Sequence, residues 1–186
     1  MREILVVGKS TLSQHLRAVC QDFIYTEVGK PDFDISTKIN CDNLVDSYNP
    51  DILLLTQGVF GGDVWSQITV NSVSLIYLAT QFYQKMNKGQ IICVSSASAI
   101  WPSWPDISIE RMIYGLSKQT VSNFCEHMQR KNYTVGKSVA VQCYEPCRFK
   151  SKMNNFSQGL DISEVTKDVR YLIDNPTVAH IRKIDV

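Results

Sequence analysis

The chain has 186 residues, of which 44% are hydrophobic and 20% charged, and its formal net charge at pH 7 is +1. This length and apolar content predict one domain over residues 1–186 with one sizeable core. The near-neutral charge argues against nucleic-acid binding. No apolar run approaches the ~20 residues of a membrane helix, and the chain begins directly with a short strand, so we expect a cytoplasmic protein without membrane contacts.

Strand-like apolar runs alternate with segments of helical spacing along the chain. This alternation predicts an α/β fold, in which helices cover both faces of a parallel sheet in three α/β/α layers. The predicted elements alternate from strand to helix in the order 2–7, 11–20, 23–27, 40–47, 51–56, 64–86, 90–95, 112–131, 138–144, 163–174 and 179–185.

Cysteines and histidines predict neither disulfides nor a metal site. The six cysteines include no Cys-x-x-Cys pair, and Cys93 and Cys143 fall inside predicted buried strands, which is typical of reduced core thiols. The three histidines show no ligand spacing.

Tyr114 and Lys118 lie four residues apart in a predicted helix and therefore share one helix face. An ammonium near a phenol favours the phenolate, so we expect Lys118 to lower the pKa of Tyr114 from about 10 and to make it a usable acid. A solvated helix face is the alternative for this pair taken alone.

Two further polar positions precede this pair. Asn71 stands among the apolar residues of the predicted helix 64–86, where an amide is mildly unfavourable. The strand 90–95 ends in serines, of which Ser96 is the preferred candidate and Ser95 and Ser98 are alternatives. Helix capping and an amide bond to a neighbouring carbonyl are the structural alternatives for these residues.

Asn71, a serine at a strand end, Tyr114-x-x-x-Lys118 and a proline loop after the next strand resemble, in this order, the short-chain dehydrogenases/reductases. The resemblance covers nearly the whole chain and implies a Rossmann-like, doubly wound parallel sheet. Residues 56–58, Thr-Gln-Gly, are similar to the Asn-Ala-Gly that ends a strand in this family. Residues 146–151 are similar to its Pro-Gly-x-x-x-Thr loop, with Cys for Gly and Ser for Thr.

The resemblance implies hydride transfer between NAD or NADP and a carbonyl or alcohol substrate. Tyr114 would be the general acid/base, Ser96 would position the substrate oxygen, Lys118 would also touch the nicotinamide ribose, and Asn71 would hold a water near Lys118. A catalytically idle relative that works in regulation or assembly is the alternative. A nucleotide-sugar epimerase or dehydratase of the same fold is another.

The turn after the first strand departs from the family, which expects Gly-x-x-x-Gly-x-Gly where this chain has one glycine. A P-loop is a further interpretation of this turn, but it needs a glycine at position 3, which is Glu3. Helix amides could still bind phosphate here. The implied cofactor-binding residues are Gly8, Lys9, Ser10, Thr11, Leu12, Glu27, Asp34, Ile35, Thr56, Gln57, Gly58, Tyr114, Lys118, Pro146 and Ser151.

The choice between NAD and NADP stays open. Glu27, near the end of the second strand, favours NAD, whereas Lys9 and Lys30 favour the 2′-phosphate of NADP. Asp34 would accept from the adenine amino group, with Ile35 near the ring, and a turn-capping Asp is the alternative.

Segments 64–86 and 112–131 carry more apolar residues than one buried face requires. In the family the equivalent helices form a four-helix bundle between subunits, so we expect a homodimer or homotetramer; scattered exposed aromatics are the alternative. Trp101 and Trp104 predict a stiff aromatic wall beside the substrate or, equally, a loop stabilised by packing on the domain. The short stretch 151–163 predicts a pocket that is open or closed by a partner subunit. The apolar residues that suggest the interface are Ile76, Tyr77, Phe82, Tyr83 and Phe124.

Overall fold

The computed structural model describes residues 1–99, 108–151 and 159–183. Six strands and six α-helices alternate through these ranges, with a π-helical turn at Thr69–Val73 and a 3₁₀ turn at Ala97–Ala99. The strands are β1 Glu3–Val7, β2 Ile24–Val28, β3 Ile52–Leu55, β4 Lys88–Val94, β5 Ser138–Glu145 and β6 His180–Arg182. The helices are α1 Thr11–Val19, α2 Lys38–Ser47, α3 Val64–Ile68, α4 Ser74–Lys85, α5 Ile109–Val135 and α6 Ile162–Asp174.

All six strands form one parallel sheet in the order β2-β1-β3-β4-β5-β6. The chain runs outward from β1 to β2 and then crosses back to β3 on the other side of β1. This reversal creates a crevice at the carboxyl ends of β1 and β3, which is where open α/β sheets bind their ligands. The predicted doubly wound fold is confirmed.

Two apolar clusters, one on each face of the sheet, account for its three layers. Leu5, Leu53 and their neighbours pack against α2, α4 and α5, whereas Ile4 and Leu54 pack against α1 and α6. Strand β3 reads Ile-Leu-Leu-Leu and is wholly buried, as expected for a central parallel strand covered on both faces.

Local capping fixes the ends of α5, the helix that carries Tyr114. The Ser108 hydroxyl accepts from the Arg111 amide at 3.3 Å and begins the helix. Gly136, at φ +64°, ends it in the left-handed conformation.

The structure refines several predicted boundaries. The predicted helix 64–86 is divided into α3, the π-helical turn and α4, and α5 is longer than 112–131 at both ends. The link after β2 is a loop as far as Thr37, which caps α2. Residues 184–186 of the predicted last strand lie outside the described ranges.

The six cysteines are free and buried, which agrees with the predicted core position of Cys93 and Cys143. Of the helices in the described ranges, none has both the length and the apolar character needed to cross a membrane.

Candidate active site

The predicted polar residues meet at the carboxyl edge of the sheet. Tyr114 lies in the second turn of α5, and its side chain lies close to that of Ser96, which follows β4. Lys118 stands one turn further along α5 and is buried, with 2% of its surface exposed. Its Nζ lies 6.0 Å from the centroid of the Tyr114 ring.

The expected electrostatic effect of Lys118 on Tyr114 is not what the structure shows. Burial raises the pKa of the Tyr114 phenol, and the nearby Ser96 side chain opposes this rise. Lys118 instead donates to the carbonyls of Val94 and Gln57, at 3.1 and 3.3 Å. Burial lowers the pKa of the Lys118 ammonium to about 8.

Ser95 and Ser96 have different surroundings because consecutive residues of an extended chain point to opposite sides. Ser95 Oγ donates to the Lys118 carbonyl at 2.8 Å and accepts from Ser122 Oγ at 2.8 Å, which ties β4 to α5. Ser96 Oγ accepts from the Ser98 amide at 3.1 Å and faces Tyr114. Of the three serines, Ser96 is therefore the one whose side chain acts on the phenol.

The Asn71 side chain fixes the loop that follows β3. Its Oδ1 accepts from the Val59 amide at 2.7 Å, and its Nδ2 donates to the Val59 carbonyl at 2.8 Å. Asn71 is fully buried in the π-helical turn, a form of backbone that is frequent at functional sites. Its amide lies near Lys118, because a Cβ on Gly58 would be 3.6 Å from Asn71 Oδ1 and 3.3 Å from Lys118 Nζ.

One turn before Asn71, Gln67 is a buried amide that the sequence did not single out. It is fully buried, and neither Oε1 nor Nε2 has a hydrogen-bond partner. A buried amide without partners costs about 1–3 kcal/mol. We therefore expect Gln67→Met, which keeps the length of the side chain, to raise the free energy of unfolding by about 1–3 kcal/mol in a denaturant titration.

Gln90→Met is the matched control for this substitution. Gln90 is also buried, but its Nε2 donates to the carbonyls of Leu172 and Ile173 at 3.2 and 3.1 Å. Its replacement should lower the free energy of unfolding because these carbonyls lose a donor. Equal destabilisation by both substitutions would show that the Gln67 amide is satisfied in solution.

At the amino end of the site, Gly8 allows two turns to pack closely. Its φ is +126°, and a Cβ there would lie 2.7 Å from the Gln57 nitrogen and 2.7 Å from Thr56 Oγ1. Thr56 Oγ1 donates to the Gly8 carbonyl at 3.1 Å. Gly8 is thus required by the contact between the turns after β1 and β3.

The first turn of α1 is closed by a capping box. The Ser10 hydroxyl accepts from the Ser13 amide at 3.2 Å, and the Ser10 amide donates to Ser13 Oγ at 2.7 Å. These two amides are therefore used within the helix. Thr11 and Leu12 are buried in the same turn.

Each charge that bears on the choice between NAD and NADP has a partner within the chain. Glu27 accepts from the Ser13 hydroxyl and pairs with Arg17 at 3.4 Å. Both candidate cations for a 2′-phosphate are paired with aspartates, Lys9 with Asp32 and Lys30 with Asp34. These contacts favour neither cofactor.

Three further residues predicted to bind the cofactor lie in a turn, in the core and in the loop after β5. Asp34 Oδ1 accepts from the Ser36 amide at 2.9 Å, which is the turn role named as its alternative. Ile35 is buried in the core, which leaves little of its side chain to contact an adenine ring. Pro146 follows β5, and its carbonyl accepts from the Ala97 amide at 2.8 Å, so the Pro146 loop joins the Ser96 loop.

Ser151 is partly buried and ends the second described range. Trp101 and Trp104 lie outside the described residues, as do residues 152–158 of the stretch where a lid would be expected.

Cys143, Glu145 and His180 bring their potential ligand atoms within 4.8 Å of one another, a proximity that sequence spacing did not predict. Glu145 is fully buried, and its Oε2 lies 2.5 Å from Arg182 Nε and 3.2 Å from His180 Nε2. Since Arg182 already balances the carboxylate charge, we interpret this group as a buried ion pair.

No protein-family model and no curated protein matches the sequence. Solved structures match its fold over almost the full length. A short-chain dehydrogenase/reductase from Burkholderia multivorans with bound NADP is 15% identical, with a TM-score of 0.81 over 98% of this chain and 96% of that one. 4-hydroxyisoleucine dehydrogenase complexed with NADH and succinate is 17% identical, with a TM-score of 0.75 over 98% and 97%. A short-chain dehydrogenase/reductase from Serratia marcescens is 18% identical, with a TM-score of 0.75 over 99% and 96%. The chain therefore has the fold of the short-chain dehydrogenases/reductases.

Proposed function

We propose that this protein is an oxidoreductase of the short-chain dehydrogenase/reductase type, which moves a hydride between NAD(H) or NADP(H) and a carbonyl or alcohol carbon. One observation carries the proposal. The Tyr114 and Ser96 side chains lie close to each other at the carboxyl edge of the sheet, with the buried Lys118 one turn away. The similar structures solved with bound NADP or NADH support the choice of cofactor.

The residues at the crevice fit the ribose and phosphate groups of such a cofactor. The described contacts of Lys118 Nζ use two of its three donor hydrogens, which leaves one for a ribose hydroxyl. Gly58 places no side chain in front of this ammonium. The amino end of α1 stands beside β1, where its partial positive charge favours phosphate.

The chain's own residues would handle the proton and the substrate oxygen, while the bound nicotinamide supplies or accepts the hydride. Tyr114 would donate its proton to the oxygen as negative charge develops there. The Ser96 hydroxyl would give a second hydrogen bond to the same oxygen. Burial keeps the pKa of Tyr114 high, so the phenol is protonated and ready to act as an acid at neutral pH.

The capping box of α1 supports the second candidate, a relative that binds nucleotide weakly and acts in regulation or assembly. Two first-turn amides that could serve a phosphate are bonded to Ser10 and Ser13 side chains instead. Cofactor affinity separates the two candidates.

We expect micromolar binding of NADH or NADPH in calorimetric titrations, with a matching rise in melting temperature because the ligand binds only the native state. The tighter of the two ligands identifies the physiological cofactor. Absence of binding at millimolar concentrations of both would contradict the proposed enzyme and favour the regulatory or assembly protein.

Lys118→Met tests whether the observed binding uses this crevice. The variant should weaken binding at least about tenfold, because it removes a charge-assisted hydrogen bond. Lys137→Met is the matched control, since Lys137 also donates to backbone carbonyls, those of Tyr83 and Gln84, but precedes β5 at the opposite edge of the sheet. It should leave the dissociation constant within about twofold.

We further propose a homodimer or homotetramer built through the segments 64–86 and 112–131. Phe82 and Tyr83, which the sequence suggested for the interface, are buried in the chain's own core, and Ile76, Tyr77 and Phe124 pack against it. Other apolar side chains of these segments support the proposal because they are exposed. They are Val64, Trp65, Ile68, Val73, Met112 and Leu116.

A further inference from the structure

Phe60, in the loop between β3 and α3, is a large apolar side chain set beside the candidate acid. Its ring meets the Tyr114 ring edge to face, with centroids 5.6 Å apart and planes at 80°. Phe60 remains 45% exposed and belongs to neither core cluster. Packing in the hydrophobic core therefore does not explain why a phenylalanine stands at position 60.

Hydrogen bonds before and after Phe60 in sequence hold its loop in place. On one side, the Asn71 amide binds the N–H and the carbonyl of Val59, the preceding residue. On the other, Asp63 caps α3 by accepting from the Ser66 amide at 2.9 Å. The backbone is thus anchored immediately before Phe60 and three residues after it.

Two glycines between these anchors give the loop its shape. Gly61 and Gly62 both have φ +80°, and a Cβ on either would meet no atom within 4 Å. Glycine is therefore needed here for backbone conformation and not for space. The Phe60 ring lies next to Tyr114 with part of its surface uncovered.

A substrate carbonyl that accepts hydrogen bonds from Tyr114 and Ser96 would lie close to this uncovered ring. Aromatic rings prefer edge-to-face or offset contacts with other rings. Of the described residues, the cation in contact with the Tyr114 ring is Lys118, which is buried and bonded to two backbone carbonyls.

We propose that Phe60 forms an apolar subsite that selects carbonyl compounds bearing an aryl group on the carbonyl carbon. The inference rests on the proposed function and gives it a substrate class. Phe60 acts here as a specificity-determining residue, and the hydrogen bonds to the substrate oxygen come from Tyr114 and Ser96.

The test compares acetophenone with acetone as substrates of the wild type, Phe60→Ala and the control Tyr133→Ala, which changes an aromatic side chain that is 92% exposed at the far end of α5. Phe60→Ala should lower kcat/KM for acetophenone about 10- to 100-fold, the range expected for loss of apolar contacts in a pocket. It should change kcat/KM for acetone less than about threefold and leave cofactor affinity unchanged. Equal losses for both ketones, or none for either, would overturn the inference.

Equilibrium binding of 1-phenylethanol, the corresponding alcohol, separates this inference from the proposed function. Binding to the wild type that Phe60→Ala weakens, without turnover of either ketone, would support the subsite and contradict the enzyme. Turnover of acetone with no preference for acetophenone would support the enzyme and overturn the subsite. A protein that neither binds the alcohol nor reduces either ketone would overturn both.

Discussion

Tyr114→Phe should lower carbonyl reduction by on the order of 10³-fold, the typical contribution of a positioned general acid. The substitution removes the phenolic hydroxyl that lies close to Ser96 while keeping the ring that contacts Phe60. We expect the cofactor dissociation constant of this variant to stay within a few fold of the wild-type value, so that saturation with cofactor is possible. The measurement is therefore kcat at saturating cofactor. Full activity in this variant would show that Tyr114 is not the acid.

Tyr83→Phe is the control for loss of a tyrosine hydroxyl as such. The Tyr83 hydroxyl is bonded to the Asn132 side chain at 2.5 Å, and this pair lies at the end of the helices away from Ser96. We expect this variant to lose some stability and to keep its kcat. A comparable fall in kcat for both variants would point to a general structural effect.

Arg182→Met should lower the free energy of unfolding at pH 7 by about 3 kcal/mol, because it leaves the carboxylate of Glu145 buried without its strongest partner. Burial alone would raise the pKa of Glu145, but the contacts of its Oε2 with His180 and Arg182 lower it to about 2. The lower end of the range for buried pairs applies because the Arg182 side chain is 43% exposed and His180 remains after the substitution. Denaturant titration measures the loss.

The pH dependence of this loss follows from the depressed pKa of Glu145. The contribution of the ionised Glu145 carboxylate to stability is fully present above 4.5, the pKa of this group in the unfolded chain. It disappears as the pH falls from there to about 2, the pKa in the folded protein. The difference between wild type and Arg182→Met should therefore shrink over the same range. A difference that is constant from pH 7 to pH 3 would contradict the role of the carboxylate.

Lys183→Met provides a matched control at the next residue. Lys183 pairs with Asp168 at 3.3 Å, and its side chain is exposed. Exposed pairs contribute about 0–1 kcal/mol, so this variant should remain close to the wild type.

The sequence predicted those parts of the site that depend on local spacing. An i, i+4 relation places Tyr114 and Lys118 on one face of α5, and the serines that follow β4 were candidates because they stand at a strand end. The fold followed from the alternation of strand and helix periods. The spacing of the site residues and the alternation of strand and helix periods both depend on residues that are close together in sequence.

Long-range contacts were not predictable in the same way. Whether Lys118 bonds to carbonyls or acts on the phenol depends on where β3 and β4 end relative to α5. The pairing of Glu145 with Arg182 joins residues 37 apart in sequence. The contact of Phe60 with Tyr114 depends on the conformation of the loop between β3 and α3. The glycine pair at 61–62 is the sequence feature that indicates this conformation.

The π-helical turn at Thr69–Val73 has a consequence for how the two halves of the 64–85 segment are oriented. A π turn inserts one residue relative to an α-helix, and one residue corresponds to about 100° of rotation around the helix axis. The face of α4 that packs into the core and the direction of the Asn71 amide are therefore set independently. In an uninterrupted α-helix, the backbone that turns the buried face of α4 toward the core would point the Asn71 amide about 100° away from Val59. A backbone that directs the amide correctly would turn α4 by the same angle.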